Sequence, residues 1–463
     1  MQCVYKTISA DRLTPTVVFK KLGGIALLES AVLEMGKSRY SFIVVESHAS
    51  LSLTETGVVE TSNGETRLIN SDPKKYMDIL TERGLRIAAE TLPFPLPARG
   101  VGYLSYEFSR FCDTIHISKQ KDNLQVPEAV FVFGSVFIVF DHYRDDIHIV
   151  ALGVQGESEV ALLAKIAQYA QRLEDNDFSA YAQDLKDYPA TVELHANKDK
   201  YMHGVVAVKA EILKGNLVQG VLSHQVQIVS DLPAFEAYRR LRRENPSPYL
   251  FYLDFIDFQI FGASPEIMVQ VAEDNVVIKP IAGTRVRGKT HAEDVALEKE
   301  LLTDEKERAE HLMLIDLARN DLGRIAQAGT VKVTQAYGIE RYAYVMHIVS
   351  EVNAKKQPQV TTTDIIKAAF PAGTVSGAPK IKAIELISEL EPVRRGPYAG
   401  LVGYYDINGN FDSCITIRSV VHKGTTYFVQ AGAGIVHDSV PEKEYEETLN
   451  KAKATIRTLG VNL

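Results

Sequence analysis

The run AVFVFGSVFIVFDH (129–142) constrains this chain more than any other stretch. Its β-branched and aromatic residues favour strands over helices, and their partial alternation marks a strand with a buried face. SFIVVES (41–47) and DDIHIVALGV (145–154) have the same character, so the first ~150 residues read mostly as strands joined by polar turns. Residues 157–173 then show the apolar spacing of an amphipathic helix. A polar, acidic stretch at 174–200 is the best candidate for a boundary. Beyond it the patterns predict a helix at 198–214 and strands at 218–229, 249–262, 266–272 and 275–279. One long helix at 292–320 follows, then shorter ones at 363–369 and 379–389. The C-terminal third returns to strands at 400–407, 411–421 and 426–431 and ends in a helix at 441–459. Strand runs separated by helix runs predict an α+β fold with antiparallel sheets rather than a βαβ series. The division expected is a β-rich N-terminal part over 1–175 and a second part over 190–463.

Composition narrows the function classes. With 463 residues and 46% hydrophobic content the chain can bury a large core. A net charge of −8 gives no basic field for nucleic acid or an anionic membrane. No apolar stretch is long enough to span a bilayer, and no basic-then-apolar leader opens the sequence. The three cysteines, Cys3, Cys112 and Cys414, match neither a disulfide framework nor a zinc pattern, which fits a reducing cytosol. The expectation is a soluble, cytoplasmic protein.

Several local features have the residue types that chemistry uses. Glu307 and Glu310 form a Glu-x-x-Glu pair on one predicted helix face, and Glu444 and Glu447 form another. Each pair alone is equally a solvated acidic face; converging, the carboxylates would make a hard-oxygen site suited to magnesium. In AGAGIVHDS (431–439), Gly432 and Gly434 allow close approach to an anion, or simply form a turn after a strand. FPAGTVSGAPK (370–380) offers Thr374 and a helix start at Pro379, as an anion seat or an ordinary cap. Arg418 sits in the strand-like CITIRS, where it matches either a planar carboxylate or a structural salt bridge. His347 interrupts an apolar strand, as a core histidine or as an acid or base. Tyr398 follows Pro397 in RGPYAG and packs or donates a hydrogen bond.

Taken in order, PIAGTR (280–285), ERAEHLMLIDLARNDLGR (307–324), YVMHIVS (344–350), PAGTVSGAPK (371–380), RGPYAG (395–400), CITIRS (414–419) and AGAGIVHDSVPEKEYEETLNKA (431–452) resemble the chorismate-utilising enzymes. That family includes anthranilate synthase component I, aminodeoxychorismate synthase component I, and the isochorismate and salicylate synthases. The likeness is dense over residues 198–459 and sparser before, through ALLES (26–30) and GVGYLSYE (100–107). It implies intertwined antiparallel sheets packed as a sandwich with helices outside, the second part binding chorismate.

By this resemblance Glu310 and Glu447 would be direct Mg2+ ligands, with Glu307 and Glu444 as helpers. Tyr398, Arg418, Gly432, Gly434 and Lys451 would grip substrate carboxylates, with Thr284 and Gln219 lining the ring site and Thr374 contacting substrate. His347 would serve the elimination and Glu266 the departing C4 hydroxyl. Two positions select among family members. Ala282 stands where aminodeoxychorismate synthases place a nucleophilic lysine, and Gln219 falls where isochorismate and salicylate synthases place a water-activating lysine. An external amine is then required, which favours the anthranilate synthase branch: chorismate and ammonia to anthranilate and pyruvate. None of the cysteines lies in the glycine-flanked elbow of an amidotransferase, so glutamine would enter through a separate amidotransferase subunit. LLES (27–30) and NPSPYL (245–250) resemble a tryptophan feedback site, pointing to Leu28, Glu29, Ser30, Pro248, Tyr249, Leu250 and Cys414, with Glu29 on the inhibitor's ammonium. The alternative is that these segments only join two sheets.

Overall fold

The structure is a computed structural model that describes residues 2–31, 39–85, 92–175, 187–342 and 345–461. Part of the 174–200 boundary candidate and Tyr344 of the YVMHIVS run lie outside the described residues. Among those described, 22 strands join in one hydrogen-bonded network in which every named ladder is antiparallel. This is the α+β arrangement predicted. No helix is long and apolar enough to cross a membrane.

The strand Ala129–Asp141 is buried along its whole length. Phe131, Phe133, Phe137 and Val139 enter one hydrophobic core, while Val136, Ile138 and Phe140 enter another. The first core joins strand residues to helices through Met77 and Leu80, Ile315 and Ala318, and Ile365 and Ile366. The second is covered by helices, through Val18 and Phe19, Leu162 and Ile166, Tyr238 and Leu241, and Ala452 and Ile456. Both faces of the strand are therefore dry, which explains a sequence that alternates only partly.

N-terminal strands pair with distant C-terminal ones. Ala26–Glu29 lies between Tyr40–Thr54 and Tyr249–Asp254. Val101–Leu104 lies between Ala129–Asp141 and Leu401–Tyr405.

Three expected elements are subdivided and one is longer than expected. The 292–320 helix is two helices, His291–Thr303 and Glu305–Gly323. Asp304 breaks them, its carboxylate capping the second through Lys306 N (3.0 Å) and Glu307 N (3.1 Å). The 249–262 run is a hairpin, Tyr249–Asp254 and Gln259–Ser264. The 411–421 run is Phe411–Ile415 and Ser419–Lys423, so Arg418 stands between strands and not within one. Its backbone is left-handed, φ 51°, because the chain there leaves one set of partners for another. The strand expected to end at 431 runs on as Thr426–Ile435, placing Gly432 and Gly434 inside a ladder and not in a turn.

Candidate active site

The site lies where neighbouring strands break together. The chain leaves the sheet at Glu266, between Gln259–Ser264 and Ile267–Ala272, and on the adjacent strands at Thr416–Arg418. Ile415 N donates to Glu266 O (3.0 Å) and Ala263 N to Arg418 O (3.1 Å), so the two gaps face each other. The RGPYAG turn closes over them: Ala399 N donates to Thr416 O and Thr416 N to Gly400 O, both 2.9 Å. These interruptions in the strands give side chains room to converge.

One wall is the ladder of Gln219–Ser230 with Thr426–Ile435, in which Ser223 opposes Gly432 and Val221 opposes Gly434. A Cβ on Gly432 would lie 2.8 Å from Leu222 O and 3.0 Å from the Tyr398 hydroxyl; one on Gly434 would strike the Gln219 amide. Glycine is needed here for space on the Tyr398 side, not for a turn.

The glutamate pairs face this wall from two helices, Glu305–Gly323 and Pro441–Thr458. Gln219 Nε2 donates to Glu310 Oε1 (3.2 Å), and Lys451 Nζ contacts Glu447 Oε1 (2.6 Å) and Gly432 O (3.1 Å). Burial, then repulsion from Glu307 and Glu447, raises the pKa of Glu310 despite the Gln219 bond. Burial and then Glu447 raise that of Glu444. Lys451 also lies within electrostatic reach of Glu266 and His347, so the predicted acidic, substrate and catalytic residues gather around it. Among the described residues no group of three or more His, Cys, Asp or Glu side chains is placed to hold a metal ion. The arrangement is open, two pairs of hard oxygens that crowd one another. That chemistry fits magnesium, which needs only one or two carboxylates and completes its shell with water and substrate oxygens.

Arg418 donates to the carbonyl of Lys451 and makes no ion pair among the described residues. Burial lowers its pKa, while Tyr398 and Glu447 partly offset this. A guanidinium in that state has N–H groups to donate to an incoming carboxylate.

Glu266 is buried beside an apolar cavity lined by Met268, Leu314 and Leu317, and desolvation pushes its carboxyl up to about 8. Thr374 Oγ1 is buried and faces that carboxyl without closing a hydrogen bond of ordinary geometry. Gly373 lets this turn sit directly on Leu317 of the Glu310 helix. His347 is pushed down to about 4 by burial. Its Nδ1 lies 3.0 Å from Gly283 O and 3.1 Å from Thr284 Oγ1. A carbonyl can only accept, so Nδ1 carries the hydrogen and Nε2 is left with a free lone pair.

The LLES and NPSPYL segments are adjacent: Glu29 pairs with Leu250, Leu28 with Phe251, and Ala31 N, after Ser30, donates to Ser247 O beside Pro248. Tyr249 donates to Asp412 (2.8 Å), with buried Cys414 in electrostatic reach. Glu29 already accepts from Arg242 (3.0 and 3.1 Å) and Tyr238 (2.6 Å), so an ammonium group would have to share it.

Sequence reasoning passed over Arg285, which binds Glu300 (3.1 Å), Asp304 (2.9 Å) and Glu307 (3.2 Å). Its traces were its place at the end of PIAGTR (280–285) and the Asp304-x-x-Glu307 capping signal. It also passed over Glu107, Glu391 and Arg395, which lie behind Tyr398. Separately, a cleft lined by Tyr201, His224, Gln225, Glu391 and Gln430 contains none of the predicted site residues.

Residues 36–457 match the chorismate binding enzyme family, and the chain belongs to that family. It is 47% identical to anthranilate synthase component 1 of Spirochaeta aurantia, over 100% of this chain and 96% of that one. The crystal structure of anthranilate synthase component I from Streptococcus pneumoniae TIGR4 superposes with a TM-score of 0.81 at 35% identity, covering 97% and 98% of the two chains. The menaquinone-specific isochorismate synthase of Escherichia coli superposes with a TM-score of 0.73 at 16% identity, covering 99% of this chain and 94% of that one. That last likeness shows the fold alone, so the distinction between chemistries must come from the site.

Proposed function

We propose that this chain is the chorismate-aminating component of an anthranilate synthase, converting chorismate and ammonia into anthranilate and pyruvate. The observation that carries the reading is the absence of a lysine at either discriminating position. Ala282 sits in the strand beside His347, and Gln219 is held on Glu310 as a hydrogen-bond donor. Neither can attack the ring or activate water, so the nucleophile comes from outside. The relatives' name, component 1, supports a second component as the ammonia source. Cys112 and Cys414 are buried with thiols pushed up, Cys112 to about 12, the opposite of an activated nucleophile.

In this mechanism Arg418 and Tyr398 receive substrate carboxylate, and Gly432 and Gly434 leave room for the Tyr398 hydroxyl and the Gln219 amide beside it. Glu310 and Glu447, backed by Glu307 and Glu444, would hold magnesium, which supplies Lewis-acid polarisation of the ring carboxylate. Ammonia forms its bond to C2 as the C4 hydroxyl leaves as water, carrying the proton of Glu266, which is protonated at neutral pH and faced by Thr374; the new ammonium group returns a proton to the Glu266 carboxylate. His347, neutral with Nε2 free, then takes the C2 proton as the C3–O bond to the enolpyruvyl group breaks and the ring becomes aromatic; that proton passes to the departing enolate, which becomes pyruvate. Tryptophan feedback at the Glu29–Leu250 junction and a cytoplasmic location belong to the same reading. The test is purified chain with chorismate, magnesium and ammonium. Fluorescent anthranilate with equimolar pyruvate is expected; a non-aromatic amine or isochorismate as product would refute the reading.

A further inference from the structure

Arg395 is 1% exposed, an unusual state for so large a cation. Its fork binds both oxygens of Glu391 (2.8 and 2.6 Å), itself 4% exposed. The remaining donors reach Val375 O, next to Thr374, and Val221 O, on the Gln219 strand, each at 2.7 Å. The guanidinium carbon lies 4.4 Å from the centre of the Tyr106 ring and 5.7 Å from that of Tyr398. From the N-terminal part, Glu107 reaches across: its two oxygens accept from Arg395 N (2.8 Å) and Gly396 N (3.0 Å). Tyr106 N donates to Gly396 O (2.8 Å), so the turn is held on both backbone edges. The turn needs holding, since Gly396 (φ 60°) and Ala399 (φ 62°) are both left-handed on either side of Pro397 and Tyr398.

We propose that Glu107, Glu391 and Arg395 are positioning residues for this reaction: one buried network that fixes the Tyr398 turn, the Thr374 turn and the Gln219 strand relative to one another without touching substrate. Stability alone does not account for such a network, because buried ion pairs replaced by apolar residues of like volume often leave a protein as stable or more so. What an apolar set would not reproduce is the bonding of one guanidinium to three separate segments. The proposal rests on Tyr398 facing the substrate, as assigned above.

The test uses the full chain bearing Glu107→Gln, Arg395→Lys or Glu391→Gln, each checked for cooperative thermal unfolding. Glu107→Gln keeps the shape but turns an amide donor toward an N–H, and Arg395→Lys keeps the charge but loses the fork. Each is expected to raise the KM for chorismate about tenfold with kcat within about threefold of wild type. Glu391→Gln combined with Arg395→Met is expected to cost no more than Arg395→Met alone, since both act through one network. Should Arg395→Met fail to fold, the two conservative variants still decide. A wild-type KM in folded Glu107→Gln and Arg395→Lys would overturn the proposal, and so would strictly additive losses. Chorismate binding by calorimetry is run in parallel. A chain that binds chorismate but forms no anthranilate refutes the proposed activity, while the binding comparison among variants still reads the network.

Discussion

Glu266 and His347 are driven by the same force in opposite directions. Burial disfavours charge, so it raises the carboxyl and lowers the imidazole, leaving an acid that keeps its proton and a base that lacks one at neutral pH. The two pKa values, about 8 and about 4, bracket the working range. kcat/KM for chorismate should therefore rise as His347 loses its proton on the acid side and fall as Glu266 loses its own on the alkaline side. Glu266→Gln should lower kcat by about a hundredfold and remove the alkaline limb, because an amide has no proton to give. An alkaline limb that persists in that variant would mean another group titrates there. Magnesium dependence also belongs to single residues. Glu447→Gln should weaken Mg2+ binding, measured by calorimetry, by at least about tenfold, and affinity equal to wild type would remove Glu447 from the ligand set.

At the level of elements, the glycines of the Thr426–Ile435 strand show how much a sequence can hide. Gly-x-Gly after a strand reads as a turn, because isolated glycine usually marks one. Here both glycines are in the ladder, and what excludes a side chain is Tyr398 and Gln219, which arrive from distant parts of the chain. Gly432→Ala should raise the KM for chorismate about tenfold and cost about 1–3 kcal/mol of stability by overpacking; a folded variant with unchanged KM would show that the cleft lies elsewhere. Asp304 is the converse case, a local signal that was available. Its capping pattern divides the predicted long helix and starts the one carrying Glu307 and Glu310. Asp304→Ala should cost about 1 kcal/mol in a denaturant melt. Periodicity exposed most helices and strands because their apolar faces repeat along the chain. It could not show where strands change partners, as at Arg418, because both halves of such a run carry the same residue types. Nor could it find Glu107, whose partners Arg395 and Gly396 are remote in sequence.

For the whole molecule, the fold positions the site by breaking strands at one level, and each gap supplies a residue: Glu266 from one, Arg418 from the next, Tyr398 from the turn above. The fold was legible because the strand runs are long and helices separate them. The site was legible only through its resemblance to a family, since each motif alone had an ordinary structural reading. Supplied with glutamine alone the chain should release no glutamate, and should make anthranilate from glutamine only when an amidotransferase is added.

The strand Ala26–Glu29 is hydrogen-bonded along both edges, to Tyr40–Thr54 and to Tyr249–Asp254. That fixes where the gene can lengthen. Side chains alternate with a period of two, so one extra codon within 26–29 would swap Leu27 out of its core and swing Glu29 off Arg242. The Asn63–Gly64 hairpin tip, exposed and left-handed, is under no such parity rule and should accept inserted residues of any number.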